Sequence, residues 1–464
     1  MIKLFSNPLA IDQSTQKATA LNLLSIKRPH MRGFLFAWLS FFIAFFGWFS
    51  IAPLITTIRK DLKLTNDDVN NSNIISVSST ILFRITAGLL CDRLGPRRVM
   101  FTILVLGSIP VGLSGLAHDA TSLMIVRFFV GILGSAFVPC QFWTMQMFDK
   151  NAVGTANAFA GGWGNMGAGI TTMVMPLLFD GVATNLEDHV AWRVTMVIPA
   201  AIIFFIAILN LLITDDCPQG KWEQHEKPVE VHEVDEKKSA VYNGNQSDAD
   251  NRQVSPKPGL GAYLRAIKNP NVLVLIAMYA CCFGVELAVD NAIATFFHDH
   301  FNLNQTTAGL IGSIFGTMNF FSRPTGGLFS DLLYSKFEIR GRLALQFVIL
   351  FLEGLFLIVF NYSVNSGLGT AIVILVLFSY FTQAGCGTTY GIIPFVDPPI
   401  VGTVSGLVGA GGNVGGLVFA TVFKIYAGPR TPYAFLVIGA TVMSVSFLTF
   451  LLRVNGRMLV ELKR

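Results

Sequence analysis

Two arginines, Arg84 and Arg323, stand inside stretches that are otherwise almost wholly apolar, ILFRITAGLL and FFSRPTGGLF. A guanidinium is a planar, permanently charged fork of donors that suits two-point contact with a small oxyanion. In a bilayer such a group costs about 2.5–3.5 kcal/mol on insertion scales, and neither arginine is close enough to the end of its run to reach the surface. Each is therefore either held by a structural carboxylate or kept for an anionic ligand. Few carboxylates share these runs, which favours the ligand.

Two of those few are Glu286 and Asp290, one helical turn apart in YACCFGVELAVDN. A carboxylate placed there acts as a structural counter-ion or takes up and releases a proton. For Glu286 the two readings weigh equally; Asp290, nearer the end of its run, reads as structural.

The elements that must position these groups repeat one another. Val153 to Gly169, VGTANAFAGGWGNMGAG, aligns without a gap on Val401 to Gly416, VGTVSGLVGAGGNVGG, matching Gly161 to Gly409, Gly164 to Gly412, Asn165 to Asn413 and Gly167 to Gly415. Arg84, Gly88 and Asp92 have the spacing of Arg323, Gly327 and Asp331. Glycine is a poor helix former, and an amide in hydrocarbon finds no water to bond. Used twice, the pair has a physical purpose: glycine lets helices or a ligand approach the backbone, and asparagine supplies directed donors there. The expected arrangement is a duplicated membrane bundle with one site at its seam and the two guanidinium groups facing each other near the midplane.

Composition agrees. Of 464 residues 52% are hydrophobic, 13% are charged and 40 are Phe, a balance that excludes an ordinary water-soluble domain. At roughly 20 residues per crossing, apolar runs near 33–52, 73–91, 99–117, 122–148, 153–179, 193–213, 271–297, 308–331, 343–361, 368–396, 400–426 and 432–452 predict twelve transmembrane helices in two six-helix halves, an all-α membrane protein. The expected divisions are an N-terminal segment 1–32, a first bundle 33–214, a polar linker 215–270, a second bundle 271–452 and a tail 453–464. Lysine and arginine concentrate in the two terminal segments, the linker and the loops at Arg93 to Arg98 and Lys336 to Arg342, which predicts both termini on the cytoplasmic side. The net charge of +5 follows from that sidedness and points to no nucleic-acid partner. The six cysteines lack C-x-x-C spacing, and no disulfide framework, metal site or cofactor is expected. The first 32 residues lack the apolar core of a removable signal peptide. Asn304-Gln-Thr306 and Asn361-Tyr-Ser363 read as acceptor sequons on outer loops, and Ser239, Ser247 and Ser255 as exposed serines of the linker.

Gly88-Leu-Leu-Cys-Asp92-Arg93-Leu-Gly95-Pro-Arg97-Arg98 resembles the loop motif of the major facilitator superfamily. Physically it is a tight glycine-assisted turn with a charge cluster able to latch the halves. Gly88, Asp92, Arg93, Arg97 and Arg98 therefore read as gating and topology residues. The runs AGGWGNMGAGITTMVMPL, GAGGNVGGLVFA, FGVELAVDN and GTTYGIIPFV resemble the nitrate/nitrite porter family, in particular its eukaryotic high-affinity nitrate transporters, over about Phe45 to Phe450. That resemblance implies that Arg84 and Arg323 clamp nitrate from the two halves, with nitrite as a second candidate substrate. It further implies that Phe137, Tyr279 and Phe283 line the site and that Asn165, Asn413, Gly164 and Gly412 stand beside the anion. In a chain so rich in phenylalanine these aromatics would otherwise read as core.

The eukaryotic branch is proton-coupled, and Glu286 with the long middle segment favours that branch, with Glu286 as the proton-carrying candidate. Nitrate or nitrite, protons and the lipid bilayer are thus the implied partners; no feature specifies an accessory subunit. A nitrate/nitrite antiporter or a nitrite porter uses the same clamp, and a nitrate-sensing membrane receptor would signal through residues 215–270. A membrane enzyme ranks last, for the chain has no nucleophile elbow, P-loop or metal-ligand spacing.

Overall fold

The computed structural model describes residues 9–222, 260–303, 305–426, 428–454 and 456–459. Ser239, Ser247, Ser255 and Asn304 lie outside the described residues. In chain order the helices are α1 (His30–Phe49), α2 (Ile55–Asp61), α3 (Asn66–Leu94), α4 (Pro96–Leu113), α5 (Ala120–Val130), α6 (Phe137–Met147), α7 (Val153–Ala183), α8 (Asp188–Thr195) and α9 (Val197–Ile213). After the linker come α10 (Leu260–Lys268), α11 (Pro270–Phe301), α12 (Gln305–Thr317), α13 (Ser322–Ser363), α14 (Leu368–Ile392), α15 (Val401–Ile425) and α16 (Thr431–Ser446). Among the described residues the β structure is limited to isolated bridges. Hydrocarbon offers no partner for a backbone N–H or C=O, so a chain this apolar satisfies them within helices.

Among the described residues, 11 helical runs are long and apolar enough to cross a membrane. One of them, Thr307–Ser366, has 60 residues, roughly 90 Å of helix where a core of about 30 Å needs a third of that. Glu338 breaks it at φ 53°, so this run supplies two crossings and the other ten bring the total to twelve, as expected from the sequence.

Glycine decides which helices touch. In α7 a Cβ on Gly164 would enter the Phe41 ring and one on Gly167 would enter the Phe42 carbonyl, so α7 lies flat on α1. In α15 a Cβ on Gly412 would come within 2.7 Å of Phe283 and 2.8 Å of Tyr279, and one on Gly415 would enter the Ala280 carbonyl, so α15 lies flat on α11. The two repeats thus dock in the same way. Between the halves, a Cβ on Gly88 of α3 would stand 2.6 Å from the Gly402 carbonyl of α15, and one on Gly327 of α13 would enter the Gly154 carbonyl of α7.

Local chemistry sets the ends. Thr65 and Asp68 form a capping box that starts α3, with Asp68 N donating to Thr65 Oγ1 at 3.1 Å and Thr65 N to Asp68 Oδ2 at 2.9 Å. Gly95, at φ 81°, ends α3, and Pro96 begins α4 at once. Between α5 and α6 the chain tightens into a 3-10 turn, Gly131–Ala136, where Gly131 and Gly134 pass close to Ser79 and Thr80 of α3. The segment before α1 is anchored at the start of the loop into α7: Ala18 N donates to Met147 O at 3.0 Å and Asp149 N to Ala18 O at 2.9 Å.

Asn361 departs from the loop expected of a sequon. It lies in the last turn of α13 with only 7% of its surface exposed, because the helix runs on through Ser363.

Candidate functional site

Arg84 projects from the middle of α3 and is fully buried. Its Nε donates to the Gly134 carbonyl at 3.0 Å, and Nη1 donates to the Gly409 carbonyl of the other repeat at 2.8 Å. Gly134 belongs to the 3-10 turn, where the change of helical pitch leaves a carbonyl free to accept from a side chain. With its amide oriented so that the carbonyl faces the guanidinium, Asn413 also accepts from Nε at 3.2 Å and Nη1 at 3.3 Å. Nη2 has no hydrogen-bond partner. Among the described residues no carboxylate forms a salt bridge with Arg84.

Aromatic rings surround this guanidinium. Its Cζ lies 5.1 Å from the centroid of Phe137 and 4.9 Å from that of Phe283. Phe137 from the first half runs nearly parallel to Tyr279 and Phe283 from α11, with centroids 6.0 and 6.1 Å away and interplanar angles of 13° and 11°. The buried Tyr279 hydroxyl has no hydrogen-bond partner. The three aromatics expected at the site are therefore brought together around Arg84.

Arg323 is in a different position. Its Nη2 lies 2.5 Å from Glu286 Oε2, so of the two alternatives weighed for each arginine, a carboxylate partner is the one seen at Arg323. The other oxygen of Glu286 accepts from Asn319 at 2.6 Å and from Asn165 of the opposite half at 3.0 Å, while Asn319 Oδ1 accepts from Arg323 Nε at 3.2 Å. Arg323 and Glu286 belong to the same half, on α13 and α11, and meet where those two helices come within reach of each other. Asn165 thus stands on the carboxylate and Asn413 on the guanidinium. Asp290, a turn beyond Glu286, is exposed.

The paired glycines make room for this crossing-over. A Cβ on Gly161 of α7 would lie 3.3 Å from Arg323 Cδ and Nη1, and one on Gly409 of α15 would lie 3.6 Å from Arg84 Cδ. Each motif glycine passes the arginine of the opposite half. Gly164 and Gly412 instead face the rings of their own half, one step back from the guanidinium groups.

In the loop motif it is the carboxylate that joins the halves. Asp92 Oδ1 accepts from Gly402 N at 2.9 Å and Oδ2 from Thr403 N and Oγ1, both at 2.7 Å. Asp331 does the same for the other repeat, accepting from Gly154 N at 3.1 Å and Thr155 N at 2.5 Å, with Arg342 Nη2 at 2.5 Å from its Oδ1. Neither α7 nor α15 has a side-chain cap of its own, so each is capped by the carboxylate of the opposite half. Arg97 stays within its own half, its Nε 3.2 Å from Asp216 and its Nη1 donating to Thr214 O at 2.9 Å. That corrects the expectation of an arginine latch between halves as far as Arg97 is concerned. Arg93 is exposed at the end of α3 and Arg98 is half-buried. Burial raises the Asp216 carboxyl above the usual carboxylate range although Arg97 opposes it. From α10, the Tyr263 hydroxyl donates to Ile85 O at 2.5 Å; partial burial pushes it up to about 12, so it stays a donor.

Sequence reasoning missed Asn319 and Tyr390. Asn319 sits four residues before Arg323, one helical turn, and that spacing was the available signal. The Tyr390 ring meets Phe137 at 4.8 Å and Tyr279 at 5.0 Å. The Gly134 and Gly409 carbonyls had no signal at all, since every residue carries one.

A family model described as the Major Facilitator Superfamily matches residues 37–420. The chain is 36% identical over 412 residues to the high-affinity nitrate transporter 2.3 of Oryza sativa subsp. japonica, covering 88% of this chain and 75% of that one. It is 36% identical over 417 residues to the nitrate transporter 2.2 of Chlamydomonas reinhardtii, covering 90% and 77%. To the nitrate/nitrite transporter NrtP of Nostoc punctiforme it is 27% identical, covering 84% and 86%. The fold is similar to that of the proton:xylose symporter XylE, with a TM-score of 0.62 over 92% of this chain and 97% of that one at 13% identity. Twelve crossings, two repeats docked alike and these matches together place this multi-pass membrane protein in the major facilitator superfamily, within its nitrate/nitrite porter family.

Proposed function

We propose that this protein carries nitrate, and nitrite as a second substrate, into the cell with protons by alternating access, holding the anion between Arg84 and Arg323. The observation that carries this reading is the asymmetry of the two arginines. Among the described residues Arg84 is buried without a carboxylate partner, its Nη2 unpartnered beside Phe137 and Phe283, whereas Arg323 already holds the titratable Glu286.

That asymmetry provides a coupling step. When the Glu286 carboxylate takes up one proton it becomes neutral and releases Arg323, and nitrate then occupies the place of the carboxylate between the two guanidinium groups. The central charge is +1 before and after, because the anion enters as the proton neutralises Glu286. Nitrate is flat and weakly basic and fits between parallel rings, where a bulkier tetrahedral anion meets the aromatic walls. Asp92 and Asp331 hold one end of the bundle shut by capping the opposite half, and that end opens when both caps release; binding energy reaches this equilibrium through its difference between the states.

The basic loops support a cytoplasmic side for both termini, and the uptake reading assigns the protein to the plasma membrane as a carrier without catalytic chemistry. Entry against an inside-negative potential opposes about 2.3 kcal/mol per charge per 100 mV. One proton per nitrate makes the step electroneutral; a second makes the potential assist it. The test is nitrate-dependent flux and current in liposomes across a defined pH gradient. Flux that follows the inward proton gradient supports the reading, and flux that ignores the gradient but requires internal nitrite makes the protein an exchanger.

A further inference from the structure

Glu353 lies in LFLEGLFLIVF, midway along the second crossing of α13, and is fully buried. Neither of its carboxyl oxygens has a hydrogen-bond partner. The polar groups that face it are Cys281 and Cys282 of α11 and Thr382 of α14, with Glu286 as the charged group it senses. The helix on its remaining side, α16, packs Gly439 and Met443 against Gly354 and presents no charge there. Among the described residues no basic side chain forms an ion pair with it. An ionised carboxylate in such a place has no cation beside it and only the Thr382 hydroxyl within reach as a donor, a costly way to bury a charge.

We infer, on the basis of the proton-coupled reading above, that Glu353 is a second proton-binding carboxyl of the transport cycle. It carries a proton while Asp92 and Asp331 join the halves and releases it in the conformation that brings water to the second half. Small side chains connect it to the first proton site. A Cβ on Gly385 would lie 3.6 Å from Glu353 Oε2 and 3.2 Å from Cys282 Cβ. Cys282 adjoins Cys386, whose Sγ is 3.5 Å from Glu286 Oε2. The two carboxyls thus lie on either side of one contact among α11, α13 and α14, and α14 is narrow there because of glycine. A neutral acid that makes no hydrogen bond adds nothing to packing that an apolar side chain of similar size would not. Proton binding gives the carboxyl a purpose: with Glu286 it brings two protons to one nitrate, so each cycle moves a net positive charge inward.

The test is the charge moved per nitrate, measured as current and labelled-nitrate flux in liposomes holding the full-length protein. Glu353→Gln mimics the protonated acid in shape. Its expected effect is a fall in the ratio from about one positive charge per nitrate toward zero, with nitrate affinity changed by no more than about threefold. Glu353→Asp keeps the ratio. Should the glutamine variant fail to fold, Glu353→Met serves in its place, since the walls are apolar. An unchanged ratio in either neutral variant overturns the inference, and so does failure of both to fold, which would make the carboxyl a structural part. If the unsubstituted protein moves nitrate without protons, it is the coupled-transport reading that fails instead.

Discussion

Arg323 and Glu286 form a buried ion pair, Nη2 to Oε2 at 2.5 Å, whereas Arg84 at the equivalent place in the first repeat has none. The reason can be traced through the docking glycines. Phe42 faces Gly167 and Ala280 faces Gly415 in the same manner, so these two residues correspond. Six residues on in each helix, the first half has Trp48 and the second has Glu286. Trp48 Nε1 donates to Ser76 Oγ at 2.9 Å. One repeat has an apolar ring where the other has a titratable acid.

Arg84→Lys tests the anion contact. The guanidinium bonds two carbonyls and Asn413 with Nε and Nη1 and still has Nη2 to spare, which a single ammonium on a flexible stem cannot reproduce. Nitrate affinity should fall by about 2 kcal/mol, roughly 30-fold, in equilibrium binding to purified protein. Unaltered affinity would remove Arg84 from the site.

Glu286→Gln separates coupling from binding. An amide cannot take up the proton that releases Arg323, so nitrate binding should persist and lose its dependence on pH, while one proton fewer enters per nitrate. The measurement is proton uptake on nitrate addition alongside binding at several pH values. Unchanged proton uptake would make Glu286 a structural counter-ion.

Tyr279→Phe removes a buried hydroxyl that bonds nothing within the protein. If that hydroxyl serves the anion, the apparent affinity for nitrate should weaken by about 1 kcal/mol, near fivefold, with folding unaffected. A variant that binds as before and melts at the same temperature returns Tyr279 to the role of core aromatic.

Gly164→Leu and Gly169→Ala test the packing argument together. Any side chain at Gly164 enters the Phe41 ring, while a Cβ at Gly169 meets nothing within 4 Å. The leucine variant should lose thermal stability and transport. The alanine variant should keep both, gaining roughly 0.5–1 kcal/mol of helix propensity. Equal melting temperatures would refute the close approach of α7 to α1.

Asp92→Asn tests the trans cap. Cys91 beside it is fully buried, so in a background without the other cysteines its rate of maleimide labelling reports opening of this end. Loss of a capping carboxylate, worth about 1 kcal/mol, should speed labelling roughly fivefold. No change would leave the halves held by glycine contact alone.

Much of this architecture was legible from residue types in order. Runs of apolar side chains dictated crossings because a backbone in hydrocarbon must close its own hydrogen bonds. The doubled glycine-asparagine motif and the doubled arginine announced two similar halves meeting at a seam. What one-dimensional order could not reveal was the partner of each polar group. Arg84 and Arg323 have the same flanking pattern, yet one keeps a donor to spare and the other is paired, because Glu286 reaches only the guanidinium of its own half. Asp92 is in a charged motif, yet its carboxylate caps a helix more than three hundred residues later in the chain. Glu353 resembles any lone acid in an apolar run until the packing of three helices leaves it without a partner. Local sequence sets conformation through hydrogen bonding and propensity over a few residues, whereas counter-ions and donors are chosen by which helices come to lie side by side.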